Sequence, residues 1–337
     1  ISEEILATGK KLKSGKDDLR SVLDDQFHKT LLALPITGVL VFTIIPILFM
    51  ILVAFTNYDG AHDGYSNLFT WVGLSNFNEL ISSSSADANL SYTFGEILSW
   101  TLMWAFFATF TNYFLGMLVA ILINKKGIHF KKLWRGILVL TIAVPQFISL
   151  LYVSKLFDTN GVVNAMLLKL GFIDQAIRFW ENTTSARILV IVINIWVGIP
   201  YLMLVSTGIL MNIPQDLYES SKIDGASVWQ QYMKITLPYM LFVTGPYLLT
   251  QFIGNINNFN VIYLLTQDVF VTQNQALANS HAKEVDLLVT WLFRLTNEYY
   301  DYKMASVIGI IVFIICAAFT LISFSRMISG DKEEEYQ

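Results

Sequence analysis

The chain has 337 residues, of which 54% are hydrophobic and 14% are charged, and its net charge is −4 at pH 7. Soluble domains carry about 25% charged residues, so this composition excludes an ordinary soluble enzyme and a disordered tail. The negative net charge would not attract phosphate backbones, which excludes a nucleic-acid binder. A single cysteine, Cys316, excludes a disulfide framework and a thiolate metal cluster.

Six apolar runs are each long enough to cross a bilayer, which takes ~20 apolar residues in a helix. In chain order they cover residues 32–56, 97–123, 133–157, 187–211, 237–265 and 305–324. Four of the runs contain a proline, at positions 46, 145, 200 and 246, which either kinks a packed helix or marks an unwound turn beside a cavity. The sequence therefore predicts an all-α polytopic membrane protein with six transmembrane helices.

The segments that connect these runs differ in their content of Lys and Arg. Successive segments lie on alternate sides of the membrane. The side that includes both termini holds 15 of the 22 Lys and Arg residues, and the other side holds 5. Because cytoplasmic segments are enriched in positive charge, both termini are predicted to be cytoplasmic. The chain then divides into a cytoplasmic segment with an amphipathic helix at 1–31, a transmembrane domain at 32–326 and a cytoplasmic tail at 327–337.

The sequence contains no recognisable catalytic or metal-binding pattern. Its four histidines lie far apart, and it has neither H-E-x-x-H nor G-x-S-x-G. The phosphate-binding pattern G-x-x-x-x-G-K-[ST] is also missing, so uphill transport would need an ion gradient or another subunit. Ion-coupled carriers usually place an ionisable residue within a span, and the middle of every run lacks one. We therefore expect no catalytic residue, metal site or cofactor in this chain.

The polar segment between the fourth and fifth runs, residues 214–238, carries helix signals. Asp216 can cap a helix that begins near Leu217, and Gly225 is suited to end that helix. A second helical stretch is predicted to continue to Pro238. The segment is either a solvated connector or a short helix that lies across the cytoplasmic face and presses against a partner.

The spacing of residues in this segment is specific. It reads Glu219-Ser220-Ser221, then Asp224-Gly225-Ala226, then Ile235-Thr236-Leu237-Pro238. The segment resembles the EAA loop of binding-protein-dependent ABC transporter permeases, with two serines where the family has alanines. The resemblance implies that these residues form a coupling helix that docks on an ATPase subunit.

The family resemblance extends to five segments outside this loop, at residues 55–58, 143–149, 198–201, 255–259 and 287–290. They resemble the large permease subunit of maltose/maltodextrin importers. This resemblance implies a type I ABC importer permease in a bacterial cytoplasmic membrane. The implied partners are a second homologous permease, two cytoplasmic ATPase subunits that bind ATP and Mg, an extracellular sugar-binding protein and membrane lipid. The family's best-known member has a large extracellular domain, where this chain has only the polar loop 57–96.

The fifth run carries an unusual set of amides. Gln251, Asn255 and Asn258 are spaced i, i+4, i+7 and would share one face of a helix, with Asn257 and Asn260 extending the polar patch. An amide in lipid is costly without a partner. The set therefore either joins helices or lines a water-filled cavity for a neutral polyhydroxyl ligand, since amides both donate and accept.

The family resemblance assigns a sugar site to Gly198, Tyr201, Gln251, Asn255 and Asn258, with Gln251 in place of a serine. Gly198 would let a sugar ring approach the backbone, and Trp196 and Tyr201 would supply aromatic faces. The sequence thus predicts a permease subunit of an ATP-driven importer, with maltose/maltodextrin as the expected substrate. The alternatives are a galacto-oligosaccharide or raffinose-type sugar, glycerol-phosphate, which would need a cation in the cavity, and an ATPase-independent secondary carrier.

Overall fold

The computed structural model describes residues 27–63, 69–82, 89–125 and 127–334. The amphipathic helix predicted for the N-terminal segment falls largely on residues 1–26 and so lies outside the described residues. The described helices are α1 (Phe27–Val39), α2 (Ile45–Val53), α3 (Ser75–Ser82), α4 (Leu90–Asn124), α5 (Lys131–Ala143), α6 (Gln146–Leu156), α7 (Val162–Lys169), α8 (Thr183–Leu210), α9 (Gln215–Ile223), α10 (Val228–Gln231), α11 (Leu237–Ile256), α12 (Phe259–Thr266), α13 (Gln275–Asn279), α14 (Leu288–Asn297) and α15 (Tyr302–Glu334). The described part of the chain is all-helical, as predicted, and contains no β-strand.

Several of these helices are long and apolar enough to cross a membrane. Among the described residues there are four such segments, Leu31–Val53, Leu90–Asn124, Thr183–Leu210 and Tyr302–Ser325. The bent pair α5 and α6 passes the same test when its two helices are taken together. The architecture is therefore that of a multi-pass membrane protein, and the count of six crossings stays a prediction.

The predicted third span is broken at its proline. α5 ends at Ala143 and α6 begins at Gln146, and their axes differ by 93°. Pro145 disfavours a helical conformation at Val144, which has an extended ψ of 126°. By contrast, Pro200 and Pro246 lie inside continuous helices. Of these prolines, Pro145 therefore marks a turn, whereas Pro200 and Pro246 are accommodated within packed helices.

The predicted fifth span is also divided, and here the assumption of one continuous helix is wrong. α11 ends at Ile256, and α12 begins at Phe259. The side chain of Asn258 caps α12, because its Oδ1 accepts a hydrogen bond of 3.2 Å from Val261 N. A capping asparagine starts a new helix and satisfies an N–H that the helix itself leaves unpaired.

Two short π-helical turns precede prolines, one inside the predicted first span and one before the predicted fifth span. They cover Leu40–Ile44, before Pro46, and Tyr232–Thr236, before Pro238. A proline removes the N–H that would donate to the carbonyl four residues earlier. The wider turn compensates, since Leu237 N donates to Tyr232 O, five residues back.

The long helix α4 is the centre of the packing and contacts both α8 and α11. Gly116 on α4 lets α8 approach closely, since a Cβ at this position would lie 2.5 Å from Leu202 Cβ. On the other side of α4, Trp104 Nε1 donates to the backbone oxygen of Asn255 on α11 at 3.1 Å. These contacts hold α4, α8 and α11 around one common space.

Candidate functional site

A cavity of about 210 Å³ lies between α4, α8 and α11, next to the α5–α6 turn and the beginning of α12. Its lining residues are Ala108, Thr109, Asn112, Tyr113, Gln146, Asn194, Val197, Gly198, Tyr201, Leu202, Tyr247, Leu248, Gln251, Asn255 and Asn258. None of these lining residues is charged, and six of them carry an amide. The cavity thus offers many neutral donors and acceptors, which is the chemistry that hydroxyl groups need.

All five residues of the predicted sugar site line this cavity. Gly198 and Tyr201 belong to α8, and Gln251 and Asn255 belong to α11. Asn258 reaches the cavity as the cap of α12 and not as the next step of a continuous helix face. The residues selected by their spacing therefore do lie together, although two helices, α11 and α12, carry them and not the one continuous helix that was expected.

Two other amides of the predicted polar patch do not line the cavity. Asn257 Nδ2 donates to Ile253 O at 3.2 Å and contacts Cys316 Sγ on α15 at 3.7 Å. Asn260 is exposed on the first turn of α12 and is not among the lining residues. The expectation that these two extend the patch is wrong, because the helix is interrupted between α11 and α12 and the face predicted for one continuous helix does not continue.

Asn255 also holds helices together. Its Nδ2 donates to Thr109 Oγ1 on α4 at 3.0 Å, and its Oδ1 accepts from Asn258 Nδ2 at 3.2 Å. The side chain is buried, with 9% exposure. An amide can donate two hydrogen bonds and accept two, so Asn255 keeps one further donor and one further acceptor. The structure thus assigns Asn255 an interhelical bond and leaves it capacity for a ligand.

The space at Gly198 is used differently from the prediction. A Cβ at this position would lie 2.8 Å from Cγ of Asn112, which is closer than a packed side chain tolerates. The missing side chain therefore makes room for the amide of Asn112 on the facing helix α4. The contact with Asn112 thus explains the glycine at position 198, whereas the prediction explained it by the approach of a sugar ring to the backbone.

Two buried amides in the cavity were missed by the sequence analysis, Asn112 on α4 and Asn194 on α8. They are 7% and 6% exposed. Asn112 Oδ1 and Asn194 Nδ2 have no hydrogen-bond partner among the described residues. Both amides lie in predicted apolar runs, where an amide without a partner is costly, and this is the sequence signal that identifies them.

A second cavity of about 330 Å³ adjoins the first on the side of the α5–α6 turn. It shares Gln146, Val197 and Tyr201 with the first cavity, and Trp196, which is 52% exposed, lines it. The two aromatic residues expected to stack on a sugar therefore both line the second cavity. This volume lies within the range of roughly 300–1,000 Å³ that is common for small-molecule sites.

Charged side chains are buried elsewhere, in α14 and in the segment before it. Arg294 Nε contacts Asp286 Oδ2 at 3.1 Å, and Thr290 Oγ1 donates to Asp286 Oδ1 at 3.0 Å. Burial raises the pKa of Asp286, and the Arg294 guanidinium opposes that shift. Arg187 joins this segment to α8 by donating to the backbone oxygen of Glu284 through Nε at 2.9 Å. These groups do not line the neutral cavity, and two of their buried atoms, Glu284 Oε2 and Arg294 Nη2, have no hydrogen-bond partner among the described residues.

The predicted coupling segment contains the helix α9, which is ended by Gly225. Gly225 has a φ of +79°, its N–H donates to Lys222 O at 3.1 Å, and Ala226 N donates to Ser221 O at 2.9 Å. This pair of bonds is the Schellman motif. A Cβ at Gly225 would meet no atom within 4 Å, so the left-handed backbone, and not crowding, is what requires glycine here.

The start of α9 differs from the prediction. The helix begins at Gln215, its N-cap is Pro214, and no side chain caps it. Asp216 therefore is not the cap, and it lies in the first turn, where a carboxylate interacts favourably with the helix dipole. Glu219, Ser220 and Asp224 are exposed on the helix and its end.

Hydrogen bonds tie α9 to α10 and to the π-helical turn that leads into α11. Tyr218 Oη and Thr236 Oγ1 lie 2.8 Å apart, and Gln231 Nε2 donates to Ser221 Oγ at 2.8 Å. Thr236 and Gln231 are buried, with 6% and 8% exposure. These contacts connect α9 to the turn before α11, the helix that carries Gln251 and Asn255.

The chain is similar to known transport proteins over most of its length. The family described as "Binding-protein-dependent transport system inner membrane component" matches residues 112–329. The chain is 35% identical over 328 residues to the maltodextrin transport system permease protein MalC of Streptococcus pneumoniae, covering 95% of this chain and 73% of that protein. It is 36% identical over 327 residues to the galactooligosaccharides transport system permease protein GanP of Bacillus subtilis, covering 96% and 75%.

A solved structure shares the fold. A chain from a bacterial ABC transporter involved in the import of the acidic polysaccharide alginate matches with a TM-score of 0.68 and 20% identity, covering 92% of this chain and 98% of that chain. The family match spans well over half of the chain and includes the lining helices α8 and α11 and the helix α9. The chain therefore belongs to the family of binding-protein-dependent transport system inner membrane components.

Proposed function

We propose that this chain is the permease subunit through which an ATP-driven importer moves a neutral oligosaccharide of the maltodextrin type. The observation that carries the proposal is the uncharged, amide-rich cavity between α4, α8 and α11. Gly198, Tyr201, Gln251, Asn255 and Asn258 are its proposed sugar-binding residues. An acidic sugar or glycerol-phosphate would call for a cationic partner, and the lining residues include none.

The proposed topology has six crossings and cytoplasmic termini. In it, α5 with α6 and α11 with α12 each form one broken crossing, and the other four are the long apolar helices. The excess of Lys and Arg in alternate connections supports this orientation. The coupling segment then lies on the cytoplasmic face of a bacterial cell membrane.

The proposed partners are a second homologous permease, two cytoplasmic ATPase subunits that bind ATP and Mg, and an extracellular sugar-binding protein. The coupling helix would present Glu219, Ser220, Ser221, Asp224, Gly225 and Ala226 to one ATPase. The exposed side chains of α9 and its bonds to α10 and to the turn before α11 support this role. Closure of the ATPase dimer would then move α11 and switch the cavity between the two sides of the membrane.

The test is reconstitution of this chain in vesicles with its second permease, the ATPase subunits and the binding protein. We expect maltotriose to stimulate ATP hydrolysis and to be taken up, with no uptake when the ATPase subunits are omitted. Preferred uptake of a galacto-oligosaccharide or raffinose would replace the maltodextrin assignment and keep the permease role. Uptake that proceeds without ATPase subunits would contradict the proposal and support a secondary carrier.

A further inference from the structure

Asn112 lines the cavity and carries a buried hydrogen-bond acceptor that has no partner within the described part of the chain. Its Nδ2 donates to the backbone oxygen of Asn194 at 3.4 Å. Since a carbonyl oxygen can only accept, this bond decides which end of the amide faces α8. Asn112 Oδ1 is therefore the end left over, and it has no partner among the described residues although the residue is only 7% exposed.

A hydrogen-bond donor on the facing helix α8 also lacks a partner. Asn194 lies on α8, is 6% exposed, and its Nδ2 has no partner within the described part of the chain. Both residues line the same 210 Å³ cavity. A buried polar atom without a partner destabilises the folded chain, so a cavity that keeps two of them calls for a compensating contact.

The position of Asn112 requires that residue 198 on α8 has no side chain. Any residue larger than glycine at position 198 would place its Cβ 2.8 Å from Asn112 Cγ and displace the amide. Gly198 therefore keeps Asn112 seated in the cavity wall. A merely space-filling role for Asn112 would not require this accommodation, because an apolar side chain could fill the same gap.

The chemistry of the two unpaired atoms selects a hydroxyl group. A hydroxyl donates one hydrogen bond and accepts others, whereas a carboxylate only accepts and an ammonium only donates. We infer that Asn112 is a specificity-determining residue that accepts a hydrogen bond from one ring hydroxyl of the transported oligosaccharide. This inference rests on the proposed function and adds the helix α4 to the sugar-binding surface.

The experiment compares uptake of maltotriose and its monodeoxy analogues by vesicles that hold the complete transporter. The variant is Asn112→Ala, which removes the acceptor and adds no clash, and the control is Thr111→Ala on the same helix. Wild-type protein should transport one analogue roughly 2- to 12-fold less well than maltotriose, which corresponds to one lost hydrogen bond. In Asn112→Ala that penalty should disappear for this analogue only, and Thr111→Ala should keep the wild-type pattern.

The preferences of the binding protein cancel in this design, because each sugar is compared between variant and wild type. Equal deoxy penalties in Asn112→Ala and wild type would overturn the inference and leave the proposed function intact, with Asn112 acting in packing or holding water. A uniform loss of all sugars in the variant, with unchanged penalties, would overturn it in the same way. Failure of wild-type protein to transport any neutral oligosaccharide would overturn the proposed function as well.

Discussion

The cavity and the coupling segment are built in opposite ways. The coupling segment is one contiguous stretch, residues 214–238, whose helix α9 is ended by backbone geometry at Gly225 and carries exposed polar side chains. The cavity draws its residues from α4, α8, α11, the start of α12 and the α5–α6 turn, and three of its six amides, Asn112, Asn194 and Asn255, are buried. The first depends on local conformation, and the second depends on how distant helices pack.

This difference decides how each region should respond to mutation. In the coupling segment, a substitution that preserves the backbone conformation should be tolerated, since side chains at Gly225 meet open space. In the cavity, a substitution acts through contacts across helices, so its effect should depend on the residue opposite. The following substitutions test this contrast, in order of decreasing expected effect.

Gly225→Val should abolish most transport while the chain still inserts in the membrane. A β-branched residue at a φ of +79° is strained by about 1–2 kcal/mol, which favours loss of the Schellman turn and a misdirected α9. We expect uptake and sugar-stimulated ATP hydrolysis in vesicles to fall about tenfold or more. The control Gly225→Asn tolerates the left-handed conformation and should retain most activity. Equal defects in both variants would show that the turn conformation is not the cause.

Gly198→Ala should lower the thermal stability of the purified complex as well as uptake. The added Cβ would lie 2.8 Å from Asn112 Cγ, and such overpacking costs about 1–3 kcal/mol. The double variant with Asn112→Ala should recover the melting temperature, because the clashing amide is gone. If Gly198→Ala reduces uptake but leaves the melting temperature unchanged, then Gly198 acts by letting a sugar ring approach the backbone, as the sequence predicted.

Asn255→Ala should raise the KM for sugar-dependent uptake by roughly 2- to 12-fold, from the loss of one hydrogen bond to a neutral ligand. Its bond to Thr109 supplies a matched control, Thr109→Val, which removes the interhelical contact and keeps the amide. Thr109→Val should leave the KM nearly unchanged. If both variants weaken assembly equally and neither alters the KM, Asn255 acts as a link between α4 and α11 and not in sugar binding.

Gln251→Ser should have the smallest effect on total uptake and change mainly the order of preference among oligosaccharides. Gln251 is exposed in the cavity, so a shorter hydroxyl there enlarges the space without breaking a helix contact. Competition assays with maltodextrins of increasing length would measure the change, and Thr250→Ser on the neighbouring exposed position serves as control. An identical preference order in wild type and variant would remove Gln251 from the set of specificity residues.

Much of the cavity was predictable because amides in apolar runs are rare and costly. Gln251, Asn255 and Asn258 were selected on that ground, and they do lie together. Asn112 could have been found by the same argument, but not its unpaired oxygen, which depends on a backbone oxygen 82 positions away in sequence. The division of the predicted fifth span was also out of reach, since hydropathy averages over a run and does not detect a capping side chain within it.

The sequence by itself determined the membrane class, the helical architecture and the end of the helix α9. These follow from composition, from the length of apolar runs and from local backbone preferences such as the left-handed conformation at Gly225. Only the tertiary structure decided that Gly198 accommodates Asn112, that Asn255 binds Thr109, and that Asn257 turns away from the cavity. The physical reason is that these features depend on distances between helices that are far apart in sequence, and close packing makes a difference of one methyl group decisive.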